Sequence, residues 1–215
     1  MAADLDIVRA VARAPLRTLR LKDVPELTQN TWRVVERLVE KGGLTRLAHG
    51  IYAVPPDGHD GRTWKPPLEA AALAIATARF GARNSALMGV SAARHWAAIP
   101  RAIGVATVAV PRRGYAPVTL QGNGVVKFVP RRMNDLELVL ERTSLGNGLI
   151  TTPEQTLFDL LARTNREGIR LEVLGAVENL MARVQPEEFA RIVSRARAIS
   201  PSVRNAMKRW EVESD

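Results

Sequence analysis

The run Pro55-Pro56-Asp57-Gly58-His59-Asp60-Gly61, with Pro66-Pro67 close behind, divides this chain before any other feature is read. Proline lacks a backbone donor and disfavours helix in the residue before it, and glycine and aspartate favour turns. No long helix or strand continues through such a stretch. Residues 55–66 are therefore expected as a linker between a small module, 1–54, and a larger domain, 67–215. A length of 215 residues suits one large domain or two small ones.

The first module reads as helix, helix, helix, hairpin. Asp4 to Ala14 places Leu5, Ile7, Val8 and Val11 at helical spacing, and Pro15 stops it. A short apolar–polar alternation over Leu19–Val24 leads to a brief helix near Asp23–Leu27. Thr28-Gln29-Asn30-Thr31 is a polar turn, with Thr28 and Asn30 as N-cap candidates. The following helix puts Trp32, Val35, Leu38 and Val39 on one face, so Trp32 is expected in the core. Arg33, Glu36, Arg37 and Glu40 fall on the other face, and Gly42-Gly43 ends the helix. Leu44–Leu47 and Ile51–Val54 then flank Ala48-His49-Gly50 as a hairpin, with Tyr52 half-buried.

The second domain opens with a mostly apolar helix, Leu68–Phe80, expected to be buried on more than one side. An amphipathic helix is expected over Ser85–Ala98. Strands are expected over Val105–Val110, Val125–Val129, Leu136–Glu141 and Gly148–Thr151. Gly122-Asn123-Gly124 and Gly146-Asn147-Gly148 are read as turns. Thr152-Pro153-Glu154-Gln155 is a capped helix start with the spacing of a capping box. Helices are expected at 153–164, 168–183 and 186–198, and a last one begins at Ser200-Pro201. The fold class is thus α+β, an N-terminal module followed by a larger mixed α/β domain.

The chain has no cysteine, which removes disulfides, iron–sulfur clusters, thiolate zinc sites and cysteine nucleophiles. Only His49, His59 and His95 could supply imidazole. No P-loop, G-x-G-x-x-G or G-x-S-x-G motif occurs, nor any E-x-K of a two-acid nuclease site. The expectation is a protein that is not an enzyme and needs no cofactor or metal. The acidic N-terminus and the absence of a long apolar run predict a cytoplasmic protein without a membrane partner.

Net charge is +9, but unevenly placed. Residues 1–54 carry 9 bases against 6 acids, and residues 67–150 carry 10 against 4. Residues 151–215 balance at 10 and 10. No acid lies between Glu69 and Asp135. Such a local excess is the electrostatic footprint of a polyanion site, whereas a uniform bias is not.

Three helices, a polar turn before the third, then a hairpin, is the order of a winged helix-turn-helix. There the third helix enters the major groove of duplex DNA. Gln29 and Asn30 suit adenine, Thr31 lies beside them, and Arg33 and Arg37 suit guanine or phosphate. Arg46 and His49 sit on the proposed wing; His49 also reads as a plain turn residue. Arg17, Arg20 and Lys22 suit phosphate contacts. Arg79, Arg83, Arg112, Arg113, Lys127, Arg131 and Arg132 form a basic surface for phosphate or a partner. The alternative for the helix is a solvent face on which Arg33, Glu36, Arg37 and Glu40 pair with one another.

The sequence also resembles the AbiEi-type antitoxins and related transcriptional regulators. The resemblance lies in Gly50-x-Tyr52, in Ala86-Leu87-Met88-Gly89-Val90-Ser91-Ala92-Ala93-Arg94-His95-Trp96, and in Val105–Arg113. It extends to Ile150-Thr151-Thr152-Pro153-Glu154-Gln155-Thr156-Leu157-Phe158-Asp159-Leu160, similar to that family's VTSPERTLLDL. The order and spacing of these motifs cover nearly the whole chain. The resemblance implies a bacterial antitoxin that represses its own operon by binding operator DNA. It also implies a second domain that counteracts a nucleotidyltransferase-like toxin, in some systems without a stable complex. The alternatives are a module docking an acidic partner, and a DNA-binding regulator without a toxin.

Overall fold

The computed structural model describes residues 2–24, 30–100, 104–122, 124–163 and 171–213. Among these there are eight α-helices and two sheets. Helix α1 (Ala2–Arg13) leads through a 3-10 turn at Pro15–Arg17 into β1 (Thr18–Arg20) and a second 3-10 turn at Leu21–Asp23. The brief helix expected near Asp23–Leu27 falls mostly outside the described residues, as do Thr28 and Gln29. Helix α2 (Thr31–Glu40) starts at Asn30, whose side-chain oxygen accepts from the Arg33 N–H at 3.4 Å. Strands β2 (Thr45–Ala48) and β3 (Ile51–Ala53) form the hairpin, with Gly50 at φ +68° in its tip. β1 pairs antiparallel with β3, so the sheet order is β1-β3-β2.

Two expectations for this module are corrected. Trp32 is 55% exposed. Val34, Val35 and Leu38 define the buried arc of α2, and Trp32 lies more than a quarter turn from its centre. Tyr52 is fully buried, because its hydroxyl donates to Glu36 at 2.9 Å and its ring can stay in the core.

Helix α3 (Leu68–Phe80) buries eight consecutive residues, Ala70 to Thr77. It packs against β1 on one side and the large sheet on the other. A helix covered all round needs apolar residues all round, and alanine allows close approach on both sides. The helix expected over Ser85–Ala98 is instead β4 (Ala86–Leu87) followed by the short α4 (Gly89–His95). Ala86-Leu87 inserts into the middle of the large sheet, where an apolar dipeptide reads the same as a buried helix turn.

That sheet adds β5 (Val105–Val110), β6 (Val118–Thr119), β7 (Val125–Pro130), β8 (Leu138–Thr143) and β9 (Gly146–Thr151). Its order is β6-β7-β5-β4-β9-β8, with β5–β7 and β4–β9 parallel. Gly146-Asn147-Gly148 is strand, and the hairpin turn is Ser144-Leu145. A Cβ on Gly148 would lie 2.5 Å from Leu73 Cδ2, so this glycine admits α3 onto β9.

Four helices close the chain: α5 (Pro153–Arg163), α6 (Leu171–Met181), α7 (Pro186–Ser194) and α8 (Pro201–Glu213). α7 stops four residues short of its expected end. Thr152 caps α5 by accepting from the Gln155 N–H at 3.2 Å. The reciprocal half of the capping box is absent. The Gln155 side chain instead accepts from Glu137 N–H, tying α5 to the start of β8.

One apolar core joins Leu16, Leu47, Ile51 and Ala53 of the first module to Leu73, Ile75, Val108 and Ile150 of the second. A second core lies among the C-terminal helices, and a third between α1, α2 and the hairpin. Residues 55–66 contain neither helix nor strand, yet they are tied down. The Gly61 N–H donates to Gly42 O at 2.9 Å, Arg17 donates to Pro55 O at 3.0 Å, and Trp64 packs on the shared core.

Candidate nucleic-acid interface

The cations of the first module divide by partner. Arg37 donates to Asp4 at 2.6 Å, and Arg17 meets Asp57 at 3.2 Å in addition to Pro55. Arg46 donates to both carboxylate oxygens of Glu36 and lies over the Tyr52 ring at 5.6 Å. The solvent-face pairing of Arg33 with Glu36 and of Arg37 with Glu40 is therefore not what forms. Glu36 instead clamps the hairpin to α2. Burial, and then the hydrogen bond to Glu36, push the Tyr52 phenol above its ordinary value.

Arg33 is exposed beside Trp32 in the first turn of α2, and among the described residues its side chain has no ion pair. Asn30 is exposed and acts as the cap, and Thr31 is half-buried at the helix start. Gln29 lies outside the described residues. His49 is exposed at the hairpin tip. The Arg46–Glu36 bond holds β2 against the middle of α2.

The register of the large sheet brings the second basic segment together. Val110 of β5 lies beside Pro130 of β7, so Arg112-Arg113 and Arg131-Arg132 leave adjacent parallel strands at the same end. Ala86 pairs with Ala109 and Leu149, so Arg83, just before β4, reaches that end too. Arg142 pairs with Asn147 at the same level. Sequence reading missed Arg142, because it lies beyond the acid-free run that marked the others. Arg83, Arg112, Arg113, Arg132 and Arg142 are exposed; Arg131 is half-buried and donates to Pro130 O at 3.1 Å. Lys127 is exposed further back on β7.

Arg79, in the last turn of α3, joins the two segments. It lies 5.6 Å over the Phe128 ring, in an aromatic cluster with Phe80 and Tyr115. An open cleft of ≈ 360 Å³ runs between this helix end and the hairpin tip, lined by Arg20, Leu21, Lys22, His49, Gly50, Ile51 and Arg79. Burial, and then the neighbouring Arg20 charge, push the Arg79 guanidinium below its ordinary value. Among the described residues no three His, Asp or Glu side chains gather as a metal site. No described helix is long and apolar enough to cross a membrane.

Fold and site define a mixed α/β protein whose small three-stranded sheet shares a core with a larger six-stranded one, with arginines gathered at one sheet end. The RV2827C protein from Mycobacterium tuberculosis has a similar fold. It is 19% identical, with a TM-score of 0.58, and the match covers 96% of this chain and 75% of that one. No family model and no curated protein matches the chain.

Proposed function

We propose that this chain is a DNA-binding antitoxin of a bacterial toxin–antitoxin system, in which a winged helix-turn-helix at residues 1–54 represses its own operon. The observation that carries the DNA reading is connectivity. Helix α1, strand β1, helix α2 and the β2–β3 hairpin follow one another with sheet order β1-β3-β2, so the hairpin emerges directly from the exposed helix as a wing does. Arg33 and the exposed Trp32 are the side chains on α2 offered to the groove, the one for a base edge and the other for apolar contact. The arginines at the end of the large sheet supply phosphate contacts. The antitoxin part of the reading rests on the motif resemblance to AbiEi-type proteins, and its functional partner is a nucleotidyltransferase-like toxin.

The test is binding of the full chain to DNA from upstream of its own gene against a scrambled duplex of equal length. Preferential binding at physiological salt is expected; equal affinity refutes operator recognition. Rescue of growth on co-expression with a neighbouring nucleotidyltransferase-like toxin tests the antitoxin part separately.

A further inference from the structure

We propose that the cleft between the hairpin tip and the C-terminal turn of α3 is a binding site for a phosphate ester. Arg20, Lys22 and Arg79 bring three cations to one concavity, with His49 at its rim. Asp23 answers Arg20, through a Nη2 bond at 3.0 Å, and no acid answers Arg79 among the described residues. The Phe128 ring face offsets only part of the cost of taking the Arg79 guanidinium partly out of water beside another cation, and an anion would offset the rest.

Three of the carbonyls at the end of α3 already hold donors from this chain. Thr77 O accepts from Gly81 N–H at 2.8 Å, and Phe80 O accepts from the Asn84 amide at 3.0 Å. Gly81 O accepts from Ser85 Oγ at 2.8 Å. Leu21 and Ile51 give the cleft apolar walls that an ester substituent can cover. A phosphate ester spreads its negative charge over its non-bridging oxygens, and Arg79, Arg20 and Lys22 offer it both forked and point-charge donors.

A phosphate ester reaches such a cleft either as a free small molecule or as a backbone phosphate of a duplex. The second source rests on the DNA reading above; the first does not. The experiment separates them by titrating the full chain with glycerol phosphate, with a nucleoside monophosphate, and with duplex DNA, each at constant ionic strength. It compares wild type with Arg79→Met and with Arg204→Met, an exposed cation on α8. Wild type is expected to bind, Arg79→Met to bind about tenfold more weakly or worse, and Arg204→Met to match wild type.

Saturable binding of the small phosphates identifies a free ester site, and it stands even if no operator is ever found. Weakening confined to the duplex arm, equal on all sequences, identifies the backbone as the source. Arg79→Met keeps the apolar stem but loses both the charge and its seat over the Phe128 ring, so the melting temperature of the variant is read beside binding to show that it remains folded. Binding by none of the three ligands, or binding by Arg79→Met that matches wild type, overturns the proposal.

Discussion

Glu36→Gln is expected to lower stability and strengthen duplex binding at once. The Glu36 carboxylate holds both an Arg46 guanidinium nitrogen and the Tyr52 hydroxyl, with side-chain exposures of 25% for Glu36 and 30% for Arg46. That places the pair between an exposed ion pair, contributing roughly 0.2–1 kcal/mol, and a buried one whose disruption costs about 3–5 kcal/mol. Glutamine keeps an acceptor for Tyr52 and loses only the charge, so about 1–2 kcal/mol is expected. For a chain of 215 residues, roughly 2–4 °C accompanies each kcal/mol, giving a fall of about 2–8 °C in Tm by circular dichroism. The released Arg46 adds one cation to the proposed wing. The slope of log K against log salt should steepen by about 0.9 in a fluorescence-anisotropy series. An unchanged Tm would refute the clamp. A weakened duplex with a shallower slope would refute the idea that Glu36 withholds Arg46 from DNA.

Arg33→Ala should relax discrimination at one base position by about 1–3 kcal/mol, read by competition among single-substituted duplexes, while Tm holds. Arg112→Ala should instead weaken all duplexes alike and reduce the salt slope by about 0.9. Gly61→Ala places a Cβ 2.5 Å from Leu44 O and disturbs the Gly61–Gly42 hydrogen bond. A loss of about 2–4 kcal/mol in denaturant unfolding is expected, and a value below about 0.5 kcal/mol would show that residues 55–66 yield freely. The Tyr52 phenol, raised by burial and by Glu36, binds its proton more tightly folded than unfolded. Its contribution is complete below an ordinary phenol value of about 10 and is lost as pH rises through the folded value. Ultraviolet titration of Tyr115→Phe, which leaves Tyr52 as the one phenol, should show ionisation later in the folded protein than in denaturant.

Much of the fold was legible because local chemistry determined it. Pro15 and Gly42 bound their helices, Thr152 caps α5, and Val105–Val110 and Val125–Pro130 are β-branched runs too short for helices. What misled was apolar sequence whose neighbours lie far away in the chain. Ala86-Leu87 becomes strand only because β5 and β9 lie on either side of it, and Gly148 is strand because Glu141 of β8 pairs with it while Leu73 fills the space of a side chain. Hydrophobicity alone predicts Trp32 in the core, although the arc through Val34, Val35 and Leu38 excludes it. The basic residues were legible as residue types, but not their partners. Nothing in Arg37 or Arg46 announces Asp4 or Glu36, whereas Arg33, four residues before Arg37, has no such answer among the described residues.

Net charge is therefore a poor measure of what a basic chain offers to an anion. Arg37 and Arg46 are taken up within the first module and Arg17 by Pro55 and Asp57, while among the described residues cations without an ion pair remain at Arg33, at the sheet end and in the cleft. The two modules cannot be treated as separate domains reaching independently for a ligand. Leu16, Leu47 and Ile51 are buried in the same core as Leu73 and Ile75 of α3. Each such side chain contributes roughly 1.5–3 kcal/mol by leaving water, so prising the hairpin away from α3 costs several kcal/mol. The separation of His49 and Lys22 from Arg79 is thus set by the core beneath them. A ligand that fits the cleft meets donors already in place, without the ordering cost of bringing two mobile modules together. A small phosphate and a backbone phosphate of a duplex would both exploit that preorganisation.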